Sequence, residues 1–247
     1  MLTQEALRAF WTGPVLESNV IVFLTLSGAL LLGFLVGYER FYHGRAAGMR
    51  TYGLVCMASA ALTVIAGYPH EWYGGQMPVG MGADPTRIIQ GIVTGIGFLG
   101  AGVIMKEGFN ISGLTTAASI WAASVTGVLV GVGFYLAAIL LALLSAICMV
   151  SVPIMTSRLP SRQAIAISLS FARGFAPDES MIRERMLKNG YEVAGGSIVI
   201  GLREGKMEWQ FVAVAFNKTS GARISELSRE LSGVEGLDSF QLSHARN

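Results

Sequence analysis

Leu114–Met155 is a run of 42 residues without a single Asp, Glu, Lys, Arg or His. A bilayer core needs only about 20 apolar residues per helical crossing. One helix of that length would reach roughly 63 Å, about twice the hydrocarbon thickness. Two crossings joined by a tight turn solve the problem, and Gly131-Val132-Gly133 sits where that turn is needed. The run therefore predicts an integral membrane protein.

Charge divides the chain in two. Residues 1–157 carry 6 basic and 6 acidic side chains, and residues 158–247 carry 12 and 10. A membrane domain over 1–157 and a small second domain over 161–247 follow from that split. The net charge of +2 supplies no clustered basic face of the kind nucleic acid requires. Three more apolar segments precede the long run: Val20–Gly37, Thr51–Tyr68 and Ile88–Met105. With the run split near Thr116–Val130 and Phe134–Val152, the expected count is five crossings. Val20–Gly37 lacks a basic run before it and a small-residue cleavage site after it, so it reads as a retained helix rather than a signal peptide. Leu2–Trp11 is mildly amphipathic and reads as an interfacial segment or a tail.

Lys and Arg stay preferentially on the cytoplasmic side. Arg40, Arg45, Arg50, Lys106, Arg158 and Arg162 fall on one side of the predicted crossings, Arg8 and Arg87 on the other. This places the N-terminus in the periplasm and the C-terminal domain in the cytoplasm. Cys56 and Cys148 both fall inside predicted crossings, where they serve as small packing residues rather than a disulfide.

From Ala164 the periodicity turns from helical to alternating, with Ile165, Ile167, Leu169 and Phe171 on one face. A helix after Pro177-Asp178-Glu179 closes at Asn189-Gly190. A second strand runs from Tyr191 to about Leu202 with a bulge at Gly195-Gly196. Arg203-Glu204-Gly205-Lys206 reads as a hairpin turn into a third strand, Met207–Phe216. A helix over about Ala222–Leu231 and a last strand, Leu237–Leu242, complete the order βαββαβ. That is the ferredoxin-like arrangement, shared by ACT domains. Arg173-Gly174-Phe175-Ala176-Pro177 is the loop where an ACT-type ligand would sit; a dimerising module without ligand is the alternative.

Gly95-Ile96-Gly97-Phe98-Leu99-Gly100 matches GxGxxG, yet it lies inside an apolar helix and has no preceding strand, so it is no dinucleotide fingerprint. Gly91, Gly95, Gly97, Gly100 and Gly102 read instead as helix-packing positions that let backbones approach in lipid, with the third crossing central in the bundle. Asp84 precedes that helix as an N-cap, with Pro85 at its first position; a functional carboxylate is the rival reading. Arg87 is placed to pair with Asp84 or with a lipid phosphate. Glu39 ends the first crossing, and a Glu39–Arg50 pair would tie the first two helices together. Glu39 and Glu107 share one side and Asp84 the other, so no single metal site can use all three unless a helix is re-entrant. Neither a phosphate-binding GxxxxGK[ST] sequence nor an Asp-Lys-Thr-Gly run occurs, and no nucleophile constellation is present. No enzyme activity, cofactor or metal is expected.

Gly37-Tyr38-Glu39-Arg40, Gly44–Thr51, Asp84–Ile88, Gly95–Ile104 and Gly113–Trp121 together resemble the MgtC/SapB family. The resemblance covers about residues 20–150. Tyr38 and Ala46 depart from the common Leu and Pro. The βαββαβ tail is similar to the ACT-like domain carried by part of the family. The resemblance implies a bacterial inner-membrane protein tied to growth at low Mg²⁺ and, in pathogens, to survival inside macrophages. It implies a non-enzymatic modulator of other membrane proteins, such as ATP synthase or cation-transport systems. Membrane lipid and a second copy of the chain are further candidate partners. By motif position Glu39, Arg50, Asp84, Arg87 and Thr116 are the functional polar candidates. The alternative is a transporter or channel for Mg²⁺, another cation or a small solute, motivated by Gln90, Thr94, Thr115, Thr116 and Ser119 near Asp84.

Overall fold

The computed structural model describes residues 11–45, 47–74, 84–107, 110–159, 162–217 and 220–244. Most of the Leu2–Trp11 segment, Arg8 and Ala46 lie outside them. The chain divides into two compact units. One runs to Met105 and resumes over Gly113–Pro153; the other comprises Lys106–Ser112 and the chain from Ile154.

The first unit is helical. Its elements are α1 (Gly13–Tyr42), α2 (Met49–Gly67), a 3₁₀ segment (Pro69–Gly74), α3 (Pro85–Gly102), α4 (Leu114–Val132) and α5 (Tyr135–Arg158). Among the described residues four helices are long and apolar enough to cross a membrane: α1, α2, α4 and α5. The predicted third crossing is a helix, α3, but its 18 residues include Arg87, Gln90 and five glycines, and it does not join those four. Its expected end is also corrected, because Met105 opens a short hairpin of β1 (Met105–Glu107) and β2 (Asn110–Ser112). The split of the long uncharged run falls where expected: Gly133 ends α4 in the left-handed region (φ 94°). The first helix is longer than Val20–Gly37 at both ends. Charge at Glu17 and Glu39 bounds a hydropathy window but does not stop a helix.

α2 is buried at Tyr52, Gly53, Cys56, Ser59, Ala60 and Thr63. It lies between α1 and α4, and glycines permit the approach. A Cβ on Gly33 would come within 2.6 Å of the Tyr52 carbonyl oxygen, and one on Gly37 within 2.8 Å of Met49 Cα. A Cβ on Gly127 would come within 2.1 Å of the Cys56 carbonyl oxygen, and one on Gly131 within 2.7 Å of that of Ala60. Both pairs are spaced four residues apart, the small-xxx-small pattern of close helix contacts in lipid.

The expectation that α3 is central is overturned. Only Ile92, Ile96 and Gly100 of α3 are buried, a single narrow stripe against α4, where a Cβ on Gly100 would lie 3.7 Å from Ala117 Cβ. A Cβ on Gly91, Gly95, Gly97 or Gly102 would meet nothing within 4 Å. A small-residue stripe permits close approach without specifying the neighbour; α2 takes its close contacts from the glycines of α1 and α4 instead.

The second unit contains β3 (Ala164–Phe171), α6 (Glu179–Lys188), β4 (Tyr191–Val193), β5 (Val199–Arg203), β6 (Lys206–Ala215), α7 (Ile224–Leu231) and β7 (Leu237–His244). The sheet order is β4-β6-β3-β7, with β5 also on β6, and the paired strands are antiparallel. Counting β4 and β5 as one interrupted strand gives the ferredoxin-like order. The predicted bulge is a full break. Ser197 bridges it, accepting from the Val212 N–H at 3.1 Å and donating to the Ala194 carbonyl at 2.8 Å. The hairpin is tight: Glu204 (φ 55°) and Gly205 (φ 77°) are both left-handed, as a two-residue turn matched to strand twist requires. Ile165, Ile167, Leu169 and Phe171 of β3 pack with Trp209 and Phe211 of β6 under Ile182, Met186, Leu227 and Leu231 of the two helices.

Candidate functional site

Charged side chains buried in an apolar helix bundle are costly unless they are matched. Glu39 and Arg40, neighbours at the end of α1, are buried to 7% and 6% exposure. Arg40 Nε donates to Glu39 Oε2. His43, one turn on, sets Nδ1 at 3.0 Å from Glu39 Oε1. This corrects the predicted Glu39–Arg50 pair: the carboxylate is satisfied within its own helix, and Arg50 is exposed.

Tyr52 belongs to the same end of the bundle: it lies in the first turn of α2, and a Cβ on Gly37 of α1 would come within 3.0 Å of its Cβ. The Tyr52 hydroxyl oxygen lies 2.5 Å from Ser119 Oγ. Ser119 directs its one proton to the Thr115 and Thr116 carbonyls at 2.8 and 3.0 Å, so Tyr52 is the donor between the two hydroxyls. Thr116 is buried at the start of α4 and enters this arrangement through its carbonyl. Seven residues further along α2, Ser59 and Ser124 join α2 to α4 at 2.9 Å. Thr63 and Thr126 donate to the Ser59 and Ala122 carbonyls.

Asp84 and Arg87 stand apart from this cluster. Both are exposed at the start of α3, whose other end, at Gly100, meets Ala117 of α4. Asp84 is thus about 24 Å of helix away from the turn that meets α4, at 1.5 Å per residue. This corrects the expected grouping of Thr115, Thr116 and Ser119 with Asp84, because they lie at the α4 end that meets Gly100 of α3. Asp84 acts as the N-cap: Oδ1 accepts from Thr86 N at 2.9 Å and from Thr86 Oγ1 at 2.7 Å. These two bonds, the hydroxyl first, hold its carboxyl below the usual carboxylate range. The carboxylate therefore turns to Thr86 rather than to Arg87. Among the described residues no group of three or more His, Cys, Asp and Glu is placed to hold a metal ion.

Reading the sequence missed Arg40, His43 and Tyr52, and it named the glycines of α3 where those of α1 and α4 make the contacts. Gly33/Gly37 and Gly127/Gly131 show the same spacing as Gly91/Gly95, so spacing alone could not rank them. In the second unit the loop Arg173–Pro177 is filled by its own Phe175, which stacks on Phe171 at 5.8 Å. The cavity beside it, lined by Leu169, Phe171, Met181, Arg185, Leu231 and Leu237, measures about 10 Å³, room for a single water at most. The Trp209 indole N–H is a buried donor without a partner.

Comparison with known proteins bears on the helical unit. The MgtC family model matches residues 26–158, more than half of the chain. A protein named MgtC from Brucella abortus (strain 2308) is 46% identical over 108 residues, covering 44% of this chain and 41% of that protein. Its counterpart from Salmonella typhimurium (strain LT2) is 42% identical over 123 residues, 48% of each. The chain thus spans about half or less of the length of the curated relatives it matches. No solved structure matches.

Proposed function

This chain belongs to the MgtC family, and from that premise we propose that it is a non-enzymatic modulator of other inner-membrane proteins, acting in adaptation to low Mg²⁺. Apolar helices and family together make it a membrane protein. In this reading its N-terminus is periplasmic, its C-terminal unit cytoplasmic, and α3 is the surface that docks on a helix of the partner. ATP synthase and cation-transport systems are the partner classes to test first.

The observation that carries the reading is the uncovered small-residue face of α3. Gly91, Gly95 and Gly102 recur at helical spacing and have open space above them, while Ile92, Ile96 and Gly100, on a face about 120° round the helix, are the buried residues of α3. Without a hydrophobic drive between helices in lipid, association depends on close backbone approach, which small residues provide. The hydroxyls of Ser59, Thr63, Ser119, Ser124 and Thr126 bond to another helix or to a carbonyl of the same bundle, which favours packing over an ion path.

The test is growth at low Mg²⁺ of a strain whose chromosomal copy carries Gly91→Leu and Gly95→Leu. Lost growth with unchanged protein level supports docking through α3; wild-type growth removes it. Purified protein in liposomes tests the transporter alternative, since robust Mg²⁺ flux would replace modulation by transport.

A further inference from the structure

The turn between α1 and α2 forms one wall of a cleft of about 660 Å³, lined by Phe34, Phe41, Arg45, Met49, Arg50 and Thr51. Its two chemistries are separated. Phe34 and Phe41 lie seven residues apart on α1, hence on one face. Phe34 sits over the position a Gly53 side chain would take, and Phe41 lies against Gly48. The apolar wall therefore follows the seam of two membrane helices. Arg45 and Arg50 supply the polar end, and both are exposed.

Among the described residues no carboxylate is paired with either of these two cations. Among the described residues the ion pairs of Lys and Arg are Arg40–Glu39, Arg183–Glu179, Lys188–Glu184 and Lys206–Asp238. The one carboxylate described at this end, Glu39, is already paired with Arg40. Two unpaired guanidiniums at the mouth of an apolar seam match a ligand with an anionic head and a hydrocarbon tail. Guanidinium binds phosphate oxygens in a two-pronged geometry that an ammonium does not reproduce.

We propose that this cleft is a binding site for one anionic phospholipid, its phosphate held between Arg45 and Arg50 and the first part of its acyl chain laid on Phe34 and Phe41. The lipid would fix the turn between α1 and α2, and with it the end of α1 that carries Glu39 and Arg40. The site is independent of the face of α3 argued above.

Full-length protein in detergent, examined by native mass spectrometry with phosphatidylglycerol or with phosphatidylcholine of the same chains, tests it. The expected result is one retained phosphatidylglycerol per protein and roughly tenfold weaker retention of phosphatidylcholine. Arg45→Gln with Arg50→Gln should weaken phosphatidylglycerol retention roughly 10- to 30-fold, since each surface cation favours an anionic lipid by a several-fold factor. Phe41→Ala should weaken retention of phosphatidylglycerol while leaving its preference over phosphatidylcholine in place. Equal retention of the two lipids by the wild-type protein overturns the proposal whether or not any variant folds. So does undiminished binding by the double arginine variant. Displacement of the lipid by millimolar inorganic phosphate would make free phosphate the ligand and overturn the lipid reading.

Discussion

The Tyr52 hydroxyl donates to Ser119 Oγ at 2.5 Å, tying α2 to α4 across 67 residues of sequence. Tyr52 lies in the first turn of α2 and the buried Glu39–Arg40 pair in the last turn of α1, so one end of the bundle combines an interhelical hydrogen bond with a matched charge. Interhelical hydrogen bonds in membrane proteins average about 0.6 kcal/mol and reach about 1.7 kcal/mol. Tyr52→Phe should therefore lower stability by about 1 kcal/mol, and Ser119→Ala by a similar amount. Unfolding of the purified protein in mixed micelles checks this. The double variant should cost no more than either single change plus a few tenths of a kcal/mol, because both remove the same bond.

Glu39 and Arg40 should behave as a unit. Removing one partner of a buried pair leaves an uncompensated charge and costs about 3–5 kcal/mol. Glu39→Gln and Arg40→Met should each reduce the amount of folded protein recovered from membranes. The double variant should recover a large part of the loss. Additive losses in thermal unfolding would show that the two side chains act separately.

The glycines divide into two classes with opposite outcomes. Leu at Gly127 or Gly131 collides with the α2 backbone, where even a Cβ has only 2.1 or 2.7 Å, and should destabilise by about 3 kcal/mol or more. Leu at Gly91 or Gly95 enters open space and replaces a poor helix former. Stability there should hold or rise by up to about 1 kcal/mol. Thermal unfolding of the four single variants separates the classes.

Asp178 gives the second unit a pH signature. Its carboxylate accepts from the Ser180 hydroxyl and from the Ser180 N–H at 3.1 Å. These bonds, the hydroxyl first, hold its carboxyl below the usual range. A depressed carboxyl contributes stability above its unfolded value of about 3.9, and the contribution is lost as pH falls through the folded value. Unfolding of the sheet unit, followed in full-length protein, should shift to lower temperature as pH drops from about 6 to about 3. Asp178→Ala should start lower at the upper pH and converge with the wild type in acid.

Much of this architecture was legible in the residues. Leu114–Met155 announced two helices because no single crossing can absorb so long an uncharged run. The alternation in Ala164–Phe171 and the turn residues Glu204-Gly205 gave the ferredoxin-like order. Two kinds of information were not legible. Which glycines face a neighbour depends on helix rotation about its axis, so Gly91/Gly95 and Gly127/Gly131 look alike in sequence and differ in space. Which cation meets Glu39 depends on side-chain direction: Arg40 reaches it from the adjacent position, while Arg50 lines a separate cleft. Val103 and Ile104 likewise continue the apolar pattern of α3 although the helix has already ended at Gly102.

The central claim is that the outer face of α3 docks a partner helix. A photo-crosslinking residue in place of Gly95, activated in native membranes at low Mg²⁺, tests it most directly. The account predicts an adduct with one discrete membrane protein, lost when Gly91→Leu is added and absent when the crosslinker replaces Leu31, an exposed residue of α1. Lipid adducts alone at position 95, indistinguishable from those at position 31, would contradict it.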